Sequence, residues 1–247
     1  MSELRRLGIL AGDPVKLGEF YRNVFDLEKI GEELGHVILS DGIFNLALLS
    51  APKGSKTGLR YLGFEAARME SIGKKLERWE GGAIKVNECA AVAEIDHEMR
   101  DPDGNVIGLN RRAFDTAYEK TPVPIRHIAL YTPNPQRLAD FYCSVLDMRE
   151  VERTDRGSIF VTDGYINVAL LLQRKEEPLG LNHFGFHVKS NEDMRLRAER
   201  AGVRPGAKRP ARIPFAEYRV HDPEGNGFDI SEKGFRVEPK LQEARLG

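Results

Sequence analysis

Residues 137–148 of the chain read RLADFYCSVLDM, and residues 16–27 read KLGEFYRNVFDL. The apolar residues of the first stretch are spaced i, i+3, i+4 and i+7, which predicts an amphipathic helix: Leu138, Phe141, Tyr142 and Val145. The Phe-Tyr pair of one stretch recurs in the other at an offset of 141 − 20 = 121 residues. This offset is the first sign that the chain contains the same structure twice.

Two further pairs of motifs recur at nearly the same offset. Residues 41–49, DGIFNLALL, match residues 163–171, DGYINVALL, and residues 101–105, DPDGN, match residues 222–226, DPEGN. These offsets are 163 − 41 = 122 and 222 − 101 = 121 residues. The sequence therefore predicts two homologous halves, 1–112 and 126–232, joined by a linker at 113–125 that contains Pro122 and Pro124. The polar tail, 233–247, is predicted to be either a surface strap or disordered.

Each half divides again into two units. In the second half, a strand-like run at 126–132 precedes Asn134-Pro135, which has the residues of a helix N-cap and first turn. Three short strand-like runs follow, and the order restarts with a strand at 181–188. The chain is thus predicted to be an α+β protein of four βαβββ modules, each of roughly sixty residues. A unit of that size buries little core alone, so the units are expected to pair.

Composition excludes several partners. The chain has 37 Lys+Arg and 38 Asp+Glu residues, so its formal net charge of −1 gives no general attraction to nucleic acid or to anionic membranes. No window approaches the ~20 apolar residues of a membrane span, and the N-terminus has no signal-peptide pattern. Cys89 and Cys143 form neither a metal-ligand pair nor a disulfide framework. We expect a cytoplasmic protein.

Three residues distinguish the second half from the first. Aligning the halves places two histidines and a carboxylate of the second half opposite apolar or small residues of the first: His127 opposite Leu7, His183 opposite Tyr61, and Asp229 opposite Gly108. Two imidazoles and one carboxylate on rigid strands can bind a divalent metal and leave coordination positions open, an arrangement that suits Fe(II) and also Mn, Ni or Zn. The alternative is that both histidines are hydrogen-bonded core residues and that Asp229 caps a turn.

Neighbouring residues support the metal interpretation. Ala129 and Gly185 each follow a histidine by two positions and so lie on the same strand face, where they leave room beside a metal. Asn167 is shared with the first half as Asn45, which predicts a structural role.

The unit order and several motifs resemble the vicinal oxygen chelate superfamily. The motifs are Arg-His-Ile-Ala-Leu at 126–130, Asp-Phe-Tyr-x-x-Val-Leu-Asp-Met at 140–148 and Asp-Pro-Glu-Gly-Asn-x-x-Asp at 222–229. Four units, with ligands only in the C-terminal half, look most like the type I extradiol dioxygenases. The resemblance implies that the modules pair into two cup-shaped open β-barrels, with a metal held by His127, His183 and Asp229 in the second cup.

The sequence departs from the family's pattern around this centre. The family's carboxylate is usually Glu rather than Asp, and its tyrosine position is occupied here by Arg219, with Tyr218 one residue away. A fourth ligand of glyoxalase type would lie near Ala169, which cannot bind a metal. As candidates for proton transfer we select Tyr218 and His187, the latter ~13 Å along the strand from His183.

Two classes of function remain open at this stage. The first is a metal-dependent enzyme that chelates neighbouring oxygens of a small substrate, with Fe(II) and O2 cleaving a catechol-like ring, or with a non-redox metal catalysing isomerase, lyase or epimerase chemistry. The second is a non-catalytic protein that sequesters a small molecule, as the bleomycin-resistance branch does. A homo-oligomer is possible, because cup folds of this kind commonly associate.

Overall fold

The structure is a computed structural model that describes residues 2–33, 35–80, 82–89, 95–174, 177–204, 206–210 and 216–238. The first half contains β1 Glu3–Ala11, α1 Pro14–Phe25, β2 Glu28–Glu33, β3 His36–Ser40, β4 Asn45–Ser50, β5 Gly58–Glu65, α2 Met69–Arg78, β6 Asn87–Glu88, β7 His97–Arg100 and β8 Val106–Asn110. The second contains β9 Ile125–Thr132, α3 Pro135–Leu146, β10 Arg149–Arg153, β11 Ile159–Thr162, β12 Asn167–Leu172, β13 Gly180–His187, α4 Asn191–Arg200, β14 Ala207–Lys208, β15 Tyr218–His221 and β16 Gly227–Ser231.

Each half forms one eight-stranded sheet, and the two sheets have the same topology. The strand orders are β2-β3-β4-β1-β5-β8-β7-β6 and β10-β11-β12-β9-β13-β16-β15-β14. The first strands of the two modules, β1 and β5, pair antiparallel at the centre, as β9 and β13 do in the second half. Neither sheet closes on itself, so each is an open cup. The predicted α+β class and the four βαβββ modules are confirmed.

The two long helices begin and end as their sequences predict. Asp13 accepts a hydrogen bond from the Lys16 backbone N–H and Pro14 occupies the first turn of α1, while Asn134 and Pro135 do the same for α3. Each helix ends at an aspartate in the left-handed conformation, Asp26 or Asp147 in the two cases. The repeat therefore extends to the capping residues, and it fixes the same buried helix face in both halves.

The halves share one apolar core, which lies on the helix-covered faces of both sheets. Phe25 of α1 stacks on Phe186 of β13, with ring centres 3.8 Å apart. The Tyr21 hydroxyl donates to Asp222 at 2.6 Å, and the Tyr142 hydroxyl donates to Asp101 at 3.2 Å, so each half binds the turn of the other. The two cups face away from this core, and the site described below therefore belongs to one half.

The segment 113–125, predicted as a linker, is packed against the first half. The Asn45 amide nitrogen donates to the Asp115 carbonyl oxygen, the Ala117 N–H donates to the Ser40 hydroxyl, and the Ile125 N–H donates to the Asp41 carboxylate. Phe114 and Val123 of this segment are also buried, so the segment is ordered although its two prolines are typical of a linker. The described part of the tail, 233–238, folds into the second cup in the same way, while residues 239–247 lie outside the described residues. No described helix is long and apolar enough to cross a membrane.

Candidate metal centre

Three adjacent strands bring His127, His183 and Asp229 together inside the second cup. Gly185 of β13 pairs with His127 of β9 on one side and with Asp229 of β16 on the other, so the three side chains point to the same face. Each is buried, with exposed fractions of 4%, 5% and 2%. Burying a carboxylate and two imidazoles on neighbouring strands is costly unless they bind one another or a ligand.

The first-half counterpart of His127 is Arg6, and the prediction of Leu7 is wrong by one residue. Strand pairing aligns Arg6 with Asn45 in the first sheet and His127 with Asn167 in the second. Leu7 points to the opposite face and is buried in the shared core. A shift of one residue along a strand moves a side chain to the opposite face, so Arg6 of the first cup, and not Leu7, is replaced by His127 in the second cup.

The distance between His183 and Asp229 is that expected for two ligands of one ion. His183 Nε2 lies 3.1 Å from Asp229 Oδ2, and the ring centres of His127 and His183 are 5.1 Å apart. Two donors bound ~2.1 Å from one ion at a right angle are ~3.0 Å apart, which is close to the separation of His183 and Asp229. Among the described residues, however, no group of three His, Cys, Asp or Glu side chains is already arranged to hold a metal ion.

Both imidazoles are oriented by amide oxygens. His127 Nδ1 lies 2.8 Å from Asn167 Oδ1, and His183 Nδ1 lies 2.6 Å from Asn182 Oδ1. The Asn167 amide nitrogen donates to the Arg236 carbonyl oxygen, which fixes its oxygen toward the histidine. His127 Nδ1 therefore donates its proton and its Nε2 carries the free lone pair, whereas the tautomer of His183 depends on whether its Nε2 faces the Asp229 carboxylate, 3.1 Å away, or a cation. Hydrogen bonding of the far ring nitrogen is the usual environment of a metal-binding histidine.

The electrostatics keep the donors in the forms that bind cations. Burial, together with the neighbouring His183, lowers the pKa of His127 to about 3, and burial also lowers the pKa of His183. Burial alone would raise the pKa of Asp229, but His183 and Arg219 outweigh it and hold that pKa well below its usual range. At neutral pH the cluster therefore contains two neutral imidazoles and one carboxylate, as metal binding requires.

Arg219 of β15 competes for the same carboxylate. Its Nε donates to Asp229 Oδ1, and its Nη2 donates to Asp229 Oδ2 at 3.1 Å. A carboxylate has about four lone-pair positions and can serve two partners, so the ion pair does not preclude a metal. The donor set thus fits a divalent ion in its chemistry, but loading an ion requires Asp229 to rearrange against Arg219.

A cavity of about 530 Å³ opens above the cluster. Its apolar wall consists of Phe160, Ala169 and Leu171, and the position of a fourth family ligand is therefore apolar. The tail residue Phe235 stacks on His127, with ring centres 4.6 Å apart and an interplanar angle of 4°. A Cβ on Gly185 would lie 2.6 Å from Phe235, so Phe235 fills the space beside the metal position that the sequence predicts to be open.

The structure does not bring Tyr218 or His187 to the cluster. Tyr218 pairs with Ile230, without a bulge before Arg219, so its ring lies on the core side of the sheet, where the Arg195 guanidinium is 4.8 Å from its centre. His187 is exposed at the end of β13, beside Gly234. We therefore assign neither residue a role in proton transfer.

Sequence reasoning missed several residues that shape this site. Asn167 was interpreted as structural because Asn45 matches it, and both amides do hold the segment that follows their half. Its second contact, to His127, has no signal in the sequence. Asn182, Arg209 and Phe235 were also missed, since their positions depend on a register shift in β13, on the end of an edge strand and on how the tail packs.

Comparisons with known proteins agree with this fold. Residues 125–230 match the family model described as Glyoxalase/Bleomycin resistance protein/Dioxygenase superfamily. A search of curated proteins by sequence found no match.

Among solved structures, the chain is similar to the 2,3-dioxygenase LapB from Pseudomonas sp. KL28, with a TM-score of 0.72 and 18% identity over 97% of this chain and 95% of that one. It is also similar to a Mn(II)-bound glyoxalase from Novosphingobium aromaticivorans, with a TM-score of 0.72 and 18% identity over 98% and 86% of the two chains. An extradiol ring-cleaving dioxygenase from B. fuscum gives a TM-score of 0.68 and 17% identity over 96% and 73%. Residues 125–230 of this chain are thus similar to the Glyoxalase/Bleomycin resistance protein/Dioxygenase superfamily, and the whole chain shares the fold of these three enzymes.

Proposed function

We propose that the chain is a metal-dependent enzyme that binds two neighbouring oxygens of a small substrate in its second cup. The observation that carries the proposal is the pair of buried histidines whose Nδ1 atoms are held by Asn167 and Asn182. Both histidines line the cavity together with the ionised Asp229, and His183 Nε2 lies 3.1 Å from Asp229 Oδ2. A purely structural histidine needs no such alignment with a second histidine and a carboxylate.

We propose Fe(II) as the metal and extradiol-type cleavage of a catechol-like ring as the reaction, with O2 as co-substrate. A bound ion would supply Lewis-acid activation and a template for the two substrate oxygens. His127, His183 and Asp229 would hold it. The support is the similarity of the whole fold to extradiol dioxygenases, together with two histidines and a carboxylate, the ligand set of many Fe(II) oxygenases.

The remaining side chains of the cup have supporting roles in this proposal. Phe160, Ala169 and Leu171 exclude water from one wall of the cavity and present an apolar surface to an aromatic ring. Arg219 places charged N–H donors beside Asp229, where they can stabilise a negatively charged substrate oxygen. The packing of Phe235 against His127 fixes the imidazole plane.

The reaction is tested with a panel of catechols under O2 and protein loaded with Fe(II) in the absence of oxygen. Ring fission is followed by the absorbance of the yellow product. We expect product with the wild type and none with His183→Ala. His221→Ala is the matched control, because His221 is exposed and outside this cavity. Full activity of His183→Ala, or no ring fission by iron-loaded wild type, would contradict the dioxygenase proposal.

Two observations favour other candidates. The Mn(II)-bound glyoxalase among the similar structures favours lyase or isomerase chemistry with a non-redox metal, for which Mn, Ni or Zn would replace iron. The ion pair of Arg219 with Asp229 neutralises the carboxylate without any metal, as a non-catalytic binding protein would require. The metal content of the purified protein separates the last candidate from the two enzymes.

A further inference from the structure

A second arginine, Arg209, lines the cavity of the second cup beside Arg219. Arg209 follows β14, and its backbone N–H donates to the Glu217 carbonyl oxygen, which holds the residue at the sheet edge. Burial and the neighbouring Arg219 both lower the pKa of Arg209. Arg156 and Arg174 also line this cavity, so four arginines border it, while the carboxylate of Asp229 is already bound by Arg219.

One nitrogen of the Arg209 side chain lacks an acceptor within the described part of the chain. This atom is the buried Nε. A buried charged donor without an acceptor is costly, because it loses water and gains nothing in exchange. Arg209 as a whole is half-buried, and a ligand in the cavity would supply the acceptor that its buried Nε lacks. A carboxylate suits an arginine well, because its two oxygens match the fork of the guanidinium.

The first cup shows that the fold does not require this pair of arginines. Strand pairing aligns Ala207 with Arg219 in the second cup and Asn87 with Glu98 in the first, so Glu98 is the counterpart of Arg219. Arg209 lies two residues after Ala207, and Cys89 lies two residues after Asn87. A thiol and a carboxylate thus stand at the two positions where the second cup has Arg209 and Arg219, so the fold does not require a cation at either position.

We propose that Arg209 binds a carboxylate group of the substrate and so selects anionic over neutral substrates. The carboxylate would lie against Arg209, with Arg219 adjacent, while the oxygens of the substrate face His127 and His183. This inference rests on the proposed function only for the placement of those oxygens. The binding of the carboxylate itself needs no metal.

The proposal is tested by isothermal titration of metal-free protein with benzoate and with benzamide, which differ in charge but hardly in shape. We expect the wild type to bind benzoate at least about tenfold more tightly, as one charge-assisted contact provides. Arg209→Gln should abolish this preference, and Arg209→Lys should retain part of it. Lys208→Gln is the matched control, because it removes the same charge from an exposed neighbouring residue.

Three results would overturn the proposal: equal affinity of the wild type for the two probes, no measurable binding of either probe, or an unchanged preference in a folded Arg209→Gln protein. Circular dichroism of each variant shows whether it is folded. Titrating protocatechuate and its amide into metal-loaded protein compares the same two charges on a substrate that also has neighbouring oxygens. This comparison depends on the proposed metal, whereas the benzoate comparison does not. A benzoate preference that depends on Arg209, without any metal binding, would support the anion site and refute the metal enzyme.

Discussion

The two cups have the same strand order but opposite interiors. In the first cup, the Tyr61 ring lies against the backbone of three neighbouring strands, so close that a Cβ on Gly8 would be 2.3 Å from Tyr61 Cε1. Ile95 and Phe114 pack beside it, and a Cβ on Gly108 would lie 2.9 Å from Ile95. The first cup is therefore filled by its own side chains. The hollow of about 870 Å³ in that half is lined by neither Tyr61 nor Gly108.

In the second cup, His183 and Asp229 replace Tyr61 and Gly108, and the cavity opens onto them. The segment after each half enters its own cup in both cases: Arg6 lies 4.0 Å from the centre of the Phe114 ring, as His127 stacks on Phe235. Both cups therefore have the same strands and an aromatic residue from the segment that follows. They differ in three side chains, because His127, His183 and Asp229 stand in the second cup where the first has Arg6, Tyr61 and Gly108.

The largest change in metal affinity is expected when Asp229 is replaced by glycine, the residue that the first cup has at this position. Asp229→Gly removes the only charged ligand of the proposed centre, and we expect affinity for Mn(II) to fall more than about 100-fold, beyond the loss that follows from removing an outer partner of a ligand. Isothermal titration measures the affinity. Glu98→Gln, which changes a carboxylate of the first cup, is the control and should leave the affinity unchanged.

Asp229→Glu is the complementary substitution. The resembling family has Glu at this position, and the longer side chain extends the reach by ~1.5 Å. We expect the affinity for Mn(II) to stay within about tenfold of the wild type, because the ligand chemistry is retained. Complete loss of the metal from this variant would show that the cup does not have the shape assumed for the site.

Arg219→Gln tests the competition for Asp229. The substitution removes the two charged donors that occupy the carboxylate, and one such contact typically contributes ~1.5–3 kcal/mol. We therefore expect the affinity for Mn(II) to rise at least about tenfold in the same titration. An unchanged or weaker affinity would mean that the arginine orients Asp229 for the metal instead of competing with it. Lys208→Gln controls for the loss of positive charge.

Asn167→Ala and Asn45→Ala form a matched pair across the two cups. Each removes an amide that holds the segment following its half, so both should lower the free energy of unfolding by ~1–3 kcal/mol, measured by urea denaturation. Only Asn167→Ala also removes the partner of His127 Nδ1. We expect it to weaken metal binding by about 10- to 100-fold, while Asn45→Ala has no such effect. Equal effects on the metal would remove the distinction between the cups.

The smallest effect concerns a turn shared by both halves. Burial raises the pKa of Asp101 from 3.8 to about 6. The folded state therefore binds this proton more tightly than the unfolded state, and the resulting stability is present below pH 3.8 and is lost as the pH rises through about 6. Asp101→Asn should flatten the slope of the free energy of unfolding against pH over that range. An unaltered slope in urea denaturation would assign it to other groups.

The sequence predicted the fold well because the repeat is carried by residues with fixed local geometry. The helix caps at Asp13 and Asn134 define the starts of α1 and α3, and the turns at Asp101 and Asp222 recur in the second module of each half. The proximity of His127, His183 and Asp229 was predicted because they are positions where the repeat breaks, and their role as metal ligands stays a prediction. The counterpart of His127 was misplaced by one residue, because an offset of 121 or 122 does not define which strand face a residue occupies.

The environment of the ligands could not be predicted in the same way. Phe235 reaches His127 because the tail folds back, and Arg219 reaches Asp229 through a long side chain with many rotamers. The candidates Tyr218 and His187 failed for reasons of direction: the first lies on the other face of its strand, and the second lies beyond the edge of the cup. Contacts of this kind depend on packing across the sheet rather than on spacing along the chain.

The most direct test of the central claim is the metal content of the full chain, purified without oxygen from cells supplied with iron. We predict about one divalent ion per chain in the wild type and in His221→Ala, and essentially none in His127→Ala. Wild-type protein without stoichiometric metal, or a His127→Ala protein that retains it, would contradict the assignment of the second cup as a metal centre.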